Sequence, residues 1–227
     1  MTIKELFKDW SDIIDSTELY KTLKAIKDSG KKYCPESKNI FKAFELCSYN
    51  DCVTVFIGSD PYPQKGIATG ILFGNSKDTK ILSPSLEIIK EAAINYTIPH
   101  NPIEFDITLE SWAKQGILMI NSAFTCEVNK VGSHFTIWEP FVSKFLTNLS
   151  NKNPSLIYVL FGTQASSFKK YISQSADIIE VYHPAYYVKM NKRMPSDIFT
   201  NINKRLEYMY GLRIEFYKNL YNQNYET

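Results

Sequence analysis

Apolar residues fall along this chain in two rhythms that take turns. Four short runs are apolar almost without a break: Val53 to Ile57, Ile117 to Ile120, Leu156 to Leu160 and Ile178 to Tyr182. Runs of this length, rich in β-branched residues and stopped by polar or special ones, predict buried strands. Around them, apolar residues recur every three or four positions over Leu19 to Lys27, Asn39 to Leu46, Leu86 to Ala93, Phe141 to Leu149 and Ile198 to Tyr210, which predicts helices. Helices that separate strands predict an α/β fold, with a central, mainly parallel, four-stranded sheet flanked by helices on both faces. The late run Leu212 to Tyr217 fits an edge strand or part of the last helix, and the pattern does not choose between them.

Each strand-like run delivers a chemically distinctive residue where it stops. The first runs into Gly58-Ser59-Asp60-Pro61-Tyr62-Pro63, the second into Asn121, the third into Phe161-Gly162-Thr163 and the fourth into His183-Pro184. Ligands of open α/β sheets bind beyond the carboxyl ends of the strands, so four such endings describe a pocket. Singly, each has a plainer reading. Asp-Pro starts many ordinary turns, Asn121 could cap one, His183 could be a satisfied core histidine and Gly162 a helix entry.

The spacing of further motifs makes the pattern specific. Gly58 to Pro63 is followed by Ala68-Thr69-Gly70-Ile71-Leu72-Phe73, Ser83-Pro84-Ser85-Leu86, Trp112 to Asn121, Ser133-His134 with Trp138-Glu139 and Phe141, Phe161-Gly162-Thr163-Gln164-Ala165, and His183-Pro184. In this order, over about residues 53 to 190, the chain resembles the family 1 uracil-DNA glycosylases. It shares Asp-Pro-Tyr-Pro and His-Pro-Ala with the poxvirus-type members. The resemblance implies a monofunctional DNA glycosylase of that family's three-layer fold, acting without metal or cofactor. No Pro/Gly/Ser-rich linker divides the chain, so one glycosylase-like domain is expected over 1–227: a helical part over 1–50, the motif-bearing core over 53–190, and a C-terminal helix and tail over 196–227.

Excising a base puts positive charge on the sugar and negative charge on the departing base, after the nucleotide has left the stack. The resemblance implies that Asp60 stabilises the sugar cation and orients water. It implies that His183, as the neutral imidazole, donates to uracil O2, a kind of preorganised donor worth a few kcal/mol. Ser59, Tyr62, Phe73 and Asn121 are the expected substrate-binding residues. An amide at 121 can accept from N3–H while donating to O4, Phe73 would stack on the base, and Tyr62 would leave no room for a methyl at C5. The plainer reading of Tyr62 and Phe73 is core packing.

Lysine and arginine exceed aspartate and glutamate by only two, with no strongly basic stripe along the chain, so contacts to single- or double-stranded DNA are expected to be local. Candidates are backbone N–H groups of Ser83-Pro84-Ser85 and Gly162-Thr163, the Ala185 loop, Lys189 with Lys192 and Arg193, and Tyr187 in the place of the family's wedge leucine. Ser59, Pro63 and Ala185-Tyr186-Tyr187 depart from the family's usual residues. They keep open excision of a modified pyrimidine such as a phage hydroxymethylcytosine derivative, or a DNA-binding, replication-accessory role on the same scaffold. A monomer is expected, with a protein inhibitor or a replication partner as further partner classes.

The 227 residues, 44% hydrophobic, suffice for a full core. Met1 to Leu6 is too charged for a signal peptide and no apolar run is long enough to span a bilayer, so a soluble protein is expected, cytoplasmic, or in the nucleus or viral factory if the source is eukaryotic or viral. Cys34, Cys47, Cys52 and Cys126 lack the spacing of a metal site or disulfide framework, and four reduced thiols are expected.

Overall fold

The structure, a computed structural model, describes residues 2–95 and 102–220. Its centre is a sheet of β1 (Thr54–Gly58), β2 (Ile117–Asn121), β3 (Ile157–Phe161) and β4 (Asp177–Val181). The spatial order is β2-β1-β3-β4 and every pairing is parallel. The principal helices are α1 (Ser16–Asp28), α2 (Pro84–Ala93), α3 (Phe135–Lys152), α4 (Pro184–Met190) and α5 (Asp197–Tyr210).

Side chains alternate across a strand, so each apolar run feeds two cores. Val55, Ile57, Leu118, Ile120, Tyr158 and Leu160 meet the N-terminal helical segments, α1 and α3 on one face. Phe56, Ile117, Met119, Ile157, Val159 and Phe161 meet α2, α4 and α5 on the other. Coverage of both faces explains why the strands read as continuous apolar runs rather than alternating ones. Thr54, the polar exception in β1, is fully buried and donates from Oγ1 to the Ile157 carbonyl at 2.9 Å. On the first face, fully buried Trp138 packs against Phe124 and Phe141, and its truncation to alanine would cost about 3–5 kcal/mol.

Three stretches differ in detail from the pattern. The helix expected over Phe141 to Leu149 begins earlier, at Phe135, and carries Pro140 in its second turn. Asn39 to Leu46 divides into a 3₁₀ turn (Ser37–Asn39) and a short helix (Lys42–Leu46). Leu212 to Tyr217 is neither strand nor helix. Asn203 bonds both N–H and carbonyl of Ile214, at 2.8 and 3.0 Å, and Trp112 Nε1 donates to the Phe216 carbonyl at 3.1 Å. Side chains thus replace the ladder for this segment, until Lys218–Asn219 pairs antiparallel with Ile103–Glu104. The end of the expected tail, 221–227, lies outside the described residues. Among the described residues no helix is long and apolar enough to cross a membrane.

Candidate active site

The carboxyl ends of β1 and β2 are laced together before any functional side chain is placed. Gly58 stands in register with Asn121. Beyond them, the Gly58 carbonyl accepts from Ser122 N at 2.9 Å, and the Ser59 carbonyl accepts from Ser122 Oγ at 2.8 Å and Ala123 N at 3.1 Å. Position 58 admits only glycine without displacement, since a Cβ there would overlap Leu72 Cδ1 and lie 2.9 Å from Asn121 Oδ1.

Past this lacing a cavity of about 320 Å³ opens, lined by Ser59, Asp60, Tyr62, Phe73, Asn121 and His183, with Ser85 and Ala185 at its wall. Every expected catalytic and substrate-binding residue therefore meets at one site. Its volume is at the small end of ligand pockets.

Asp60 Oδ2 accepts from Gly132 N at 2.6 Å. Burial pushes the Asp60 carboxyl above its ordinary pKa, and the Gly132 N–H and Ser59 hydroxyl pull it part of the way back. The loop that carries it is held from behind, where Cys126 Sγ and Cys34 Sγ donate to the Pro61 and Pro63 carbonyls, each at 3.4 Å. These two cysteines face each other across a two-residue antiparallel ladder, and all four cysteines are free and buried.

His183 caps α4. Its Nδ1 accepts from Ala185 N at 3.2 Å, so the ring proton sits on Nε2 in the neutral imidazole. Burial lowers its pKa and favours that neutral form. Gly162, at φ +87°, makes room for it, because a Cβ there would stand 2.8 Å from His183 Cβ.

Phe73 adopts φ +63°, a left-handed conformation uncommon for a bulky residue and a form of strain associated with functional sites. The turn is locked by Tyr62, whose hydroxyl donates to the Phe73 carbonyl at 3.1 Å. Burial raises the pKa of that phenol, with the Ser83 hydroxyl opposing. The Phe73 ring meets Phe161 and His183 edge to face, with centroids 5.2 and 5.5 Å away. Asn121 is buried, and its Oδ1 has no donor. A buried acceptor left unpaired costs about 1–3 kcal/mol, which an incoming N–H would recover.

The expected DNA-contacting residues divide. Ser85 and Ala185 line the cavity, whereas Ser83, Pro84, Gly162, Thr163, Tyr187 and Lys189 do not. The Ser83 N–H is already donated to Asn75 Oδ1 at 3.2 Å and Pro84 has none, so that loop's backbone leaves only Ser85 to grip a phosphate. Gly162 and Thr163 open a short helix whose first N–H groups have no intrahelical acceptor, and Thr163 and Lys189 are exposed. Tyr187 does not project as a wedge. Helical spacing turns it inward with Pro184, to 7% exposure in the second core.

One contributor escaped the sequence pattern, the Val131-Gly132 turn. Its contact to Asp60 is a backbone N–H, which any residue but proline supplies, so no side-chain motif marks it. The nearby Ser133-His134 motif was visible, and it builds this turn. Ser133 Oγ accepts from Glu127 N at 2.7 Å and donates to the Lys130 carbonyl at 2.8 Å. Thr125 Oγ1 accepts from Trp138 Nε1 and contacts His134 Nδ1, both at 2.8 Å, which fixes His134 in the core.

Known proteins resemble this chain over most of its length. The curated uracil-DNA glycosylase of Francisella tularensis subsp. novicida is 32% identical over 207 residues, covering 87% of this chain and 93% of that one. That of Aliarcobacter butzleri is 32% identical over 184 residues, covering 78% and 85%. Among solved structures, mimivirus uracil-DNA glycosylase superposes with a TM-score of 0.73 at 21% identity over 93% of this chain and 90% of that one. A variant of the mimivirus protein in complex with UGI gives 0.72 at 22% identity, over 94% of each chain. The profile of the uracil DNA glycosylase superfamily matches residues 44–207, and with these relatives it establishes that the chain belongs to that superfamily.

Proposed function

We propose that this protein excises uracil from DNA by hydrolysing the N-glycosidic bond, leaving an abasic site as the first product of base excision repair. The observation that carries the reading is the Asn121 amide, buried in the wall of a base-sized cavity with its Oδ1 lacking a donor, opposite Asp60 and a neutral His183. Uracil presents N3–H to such an acceptor and O4 to the amide N–H, whereas cytosine presents the reverse pattern. Relatives from two organisms, each about a third identical over most of the chain, carry the name uracil-DNA glycosylase.

In this reading the flipped base stacks on Phe73, and the Tyr62 ring occupies the space a C5 methyl would need. The C1′–N1 bond breaks with its electron pair leaving on the pyrimidine, while water oxygen joins C1′ and its proton ultimately neutralises the base. Asp60 supplies the negative charge facing the sugar and aligns the water. The Nε2–H of His183 meets the charge that develops on O2, and its neutrality spares the departing anion from protonation before the bond has broken. Ser85, Ala185, Thr163 and Lys189 grip the flanking phosphates. Tyr62 also weighs against a bulky C5 group and so against a hydroxymethylcytosine substrate.

The test is an excision assay on matched single- and double-stranded oligonucleotides bearing one deoxyuridine, thymidine, deoxycytidine or hydroxymethylated deoxycytidine, read as abasic sites. Release of uracil alone is expected. Release only of the modified cytosine, or DNA binding with no release, would overturn the proposal.

A further inference from the structure

The thin charge excess of the chain conceals where the fold puts it. A groove of about 1020 Å³ lies beside the base cavity, and Ala68 lines both. Lys31, Lys32, Lys38 and Lys65 line the groove against only two carboxylates, Glu36 and Asp78. Its excess thus equals that of the whole chain, leaving the remaining sequence neutral in sum. Glu36 is engaged by Lys38 at 3.1 Å, while Lys31, Lys32 and Lys65 are exposed and form no ion pair among the described residues.

The groove is fastened to the catalytic loop. Cys34 Sγ donates to the Pro63 carbonyl, Val128 N donates to the Lys32 carbonyl at 2.9 Å, and a Cβ on Gly70 would overlap the Asn39 carbonyl oxygen. Two segments far apart in sequence, 31–39 and 65–78, therefore form one surface at a fixed distance from Asp60. Hydroxyls of Ser37, Thr69 and Ser76 also line it. A lysine-lined channel with polar groups, opening from a base pocket, has the make-up of a track for a phosphodiester backbone.

We propose that this groove binds the DNA strand that carries the target nucleotide, holding its phosphates on one side of the flipped base through Lys31, Lys32 and Lys65. The proposal rests on the glycosylase reading for its choice of DNA over an acidic protein.

The experiment uses the full chain with Lys31→Gln, Lys32→Gln and Lys65→Gln combined, none of which touches the base cavity. Binding of a uracil-free single-stranded 20-mer is followed by fluorescence anisotropy across a salt series. Excision kinetics compare a deoxyuridine 20-mer with a trinucleotide too short to reach the groove. Each lost phosphate contact on a single strand flattens the slope of log K against log salt by about 0.7, so the triple variant should be shallower by about 2. KM for the 20-mer should rise severalfold with kcat held, while trinucleotide kinetics and Tm stay at wild-type values. An unchanged salt slope, or equal losses on both substrates, overturns the groove. The binding arm needs no chemistry, so a wild-type protein that binds the 20-mer without releasing uracil would refute the proposed activity and leave the groove tested on its own terms.

Discussion

The two ring nitrogens of His183 carry one observed task and one proposed task, and substitution can separate them. Nδ1 caps α4 through Ala185 N, and Nε2–H is the donor proposed for the base. In His183→Asn the side-chain oxygen stands where Nδ1 was and still caps. The amide nitrogen stands where the ring had a carbon, short of the Nε2 position. His183→Ala removes both functions. Loss of one preorganised donor to developing charge costs about 2.7–4 kcal/mol, or 10²–10³-fold in kcat, and both variants should show it. Loss of an N-cap costs about 1 kcal/mol, which in a chain of this size lowers Tm by roughly 2–4 °C, and only the alanine variant should show that. The assay is single-turnover excision of uracil beside thermal denaturation at pH 7.5. Because burial lowers the imidazole pKa from 6.5, the folded protein holds fewer protons there than the unfolded chain. Stability linked to this buried imidazole is therefore complete above pH 6.5 and is lost as pH falls from there through the folded pKa. The asparagine variant lacks that pH dependence. A loss in kcat below tenfold in His183→Asn, or a rate that follows Tm rather than the donor, would refute the division of labour.

The other predictions concern the same cavity. Asp60→Asn should lower excision by orders of magnitude yet raise Tm at pH 7. The native carboxyl has a pKa raised by burial, so its ionisation opposes folding above the ordinary value of 3.8, and the difference in Tm should vanish below that pH. Wild-type rates in this variant would remove Asp60 from the chemistry. Tyr62→Ala should reduce the preference for uracil over thymine by about 10- to 200-fold, the usual worth of excluding one methyl group, measured as the ratio of kcat/KM. An unchanged ratio would place the exclusion elsewhere. Gly58→Ala forces Leu72 and Asn121 aside, so it should cost about 1–3 kcal/mol by denaturant unfolding and weaken kcat/KM for uracil. A variant with native stability and activity would mean that the lacing of β1 and β2 yields easily.

The sheet and the cavity were legible in the sequence for one reason: both depend on where apolar runs stop. Val53 to Ile57, Ile117 to Ile120 and Leu156 to Leu160 are buried on both faces, so those runs are unbroken, whereas the edge run Ile178 to Tyr182 is only half-buried and is interrupted by exposed Glu180; the ends of all four mark the carboxyl edge, where Asp60, Asn121 and His183 come together. What stayed hidden depends on the backbone or on segments distant in sequence. The Gly132 N–H that meets Asp60 has no side-chain signature. Tyr187 occupied the motif position of an exposed wedge, but only the facing of α4 against the second core decides that it is buried. Leu212 to Tyr217 has apolar residues enough for a strand, yet Asn203 and Trp112 satisfy its backbone and no ladder forms. The lysines of the groove lie in two unremarkable stretches whose proximity exists only in three dimensions.

The register of the central sheet also governs when activity can arise during folding. β1 meets β3 through Thr54 and Ile157, 103 positions apart, and its loop is tied to the Asn121 loop by Ser59 and Ser122, 63 positions apart. Contacts of such span close late, because the chain must lose loop entropy before they form, and they make folding slow. Asp60 lies early in the chain, but its partner Gly132 stands 72 positions downstream, and the His183 that faces the same cavity comes later still. A site built this way exists only once segments far apart in sequence have met in the native topology.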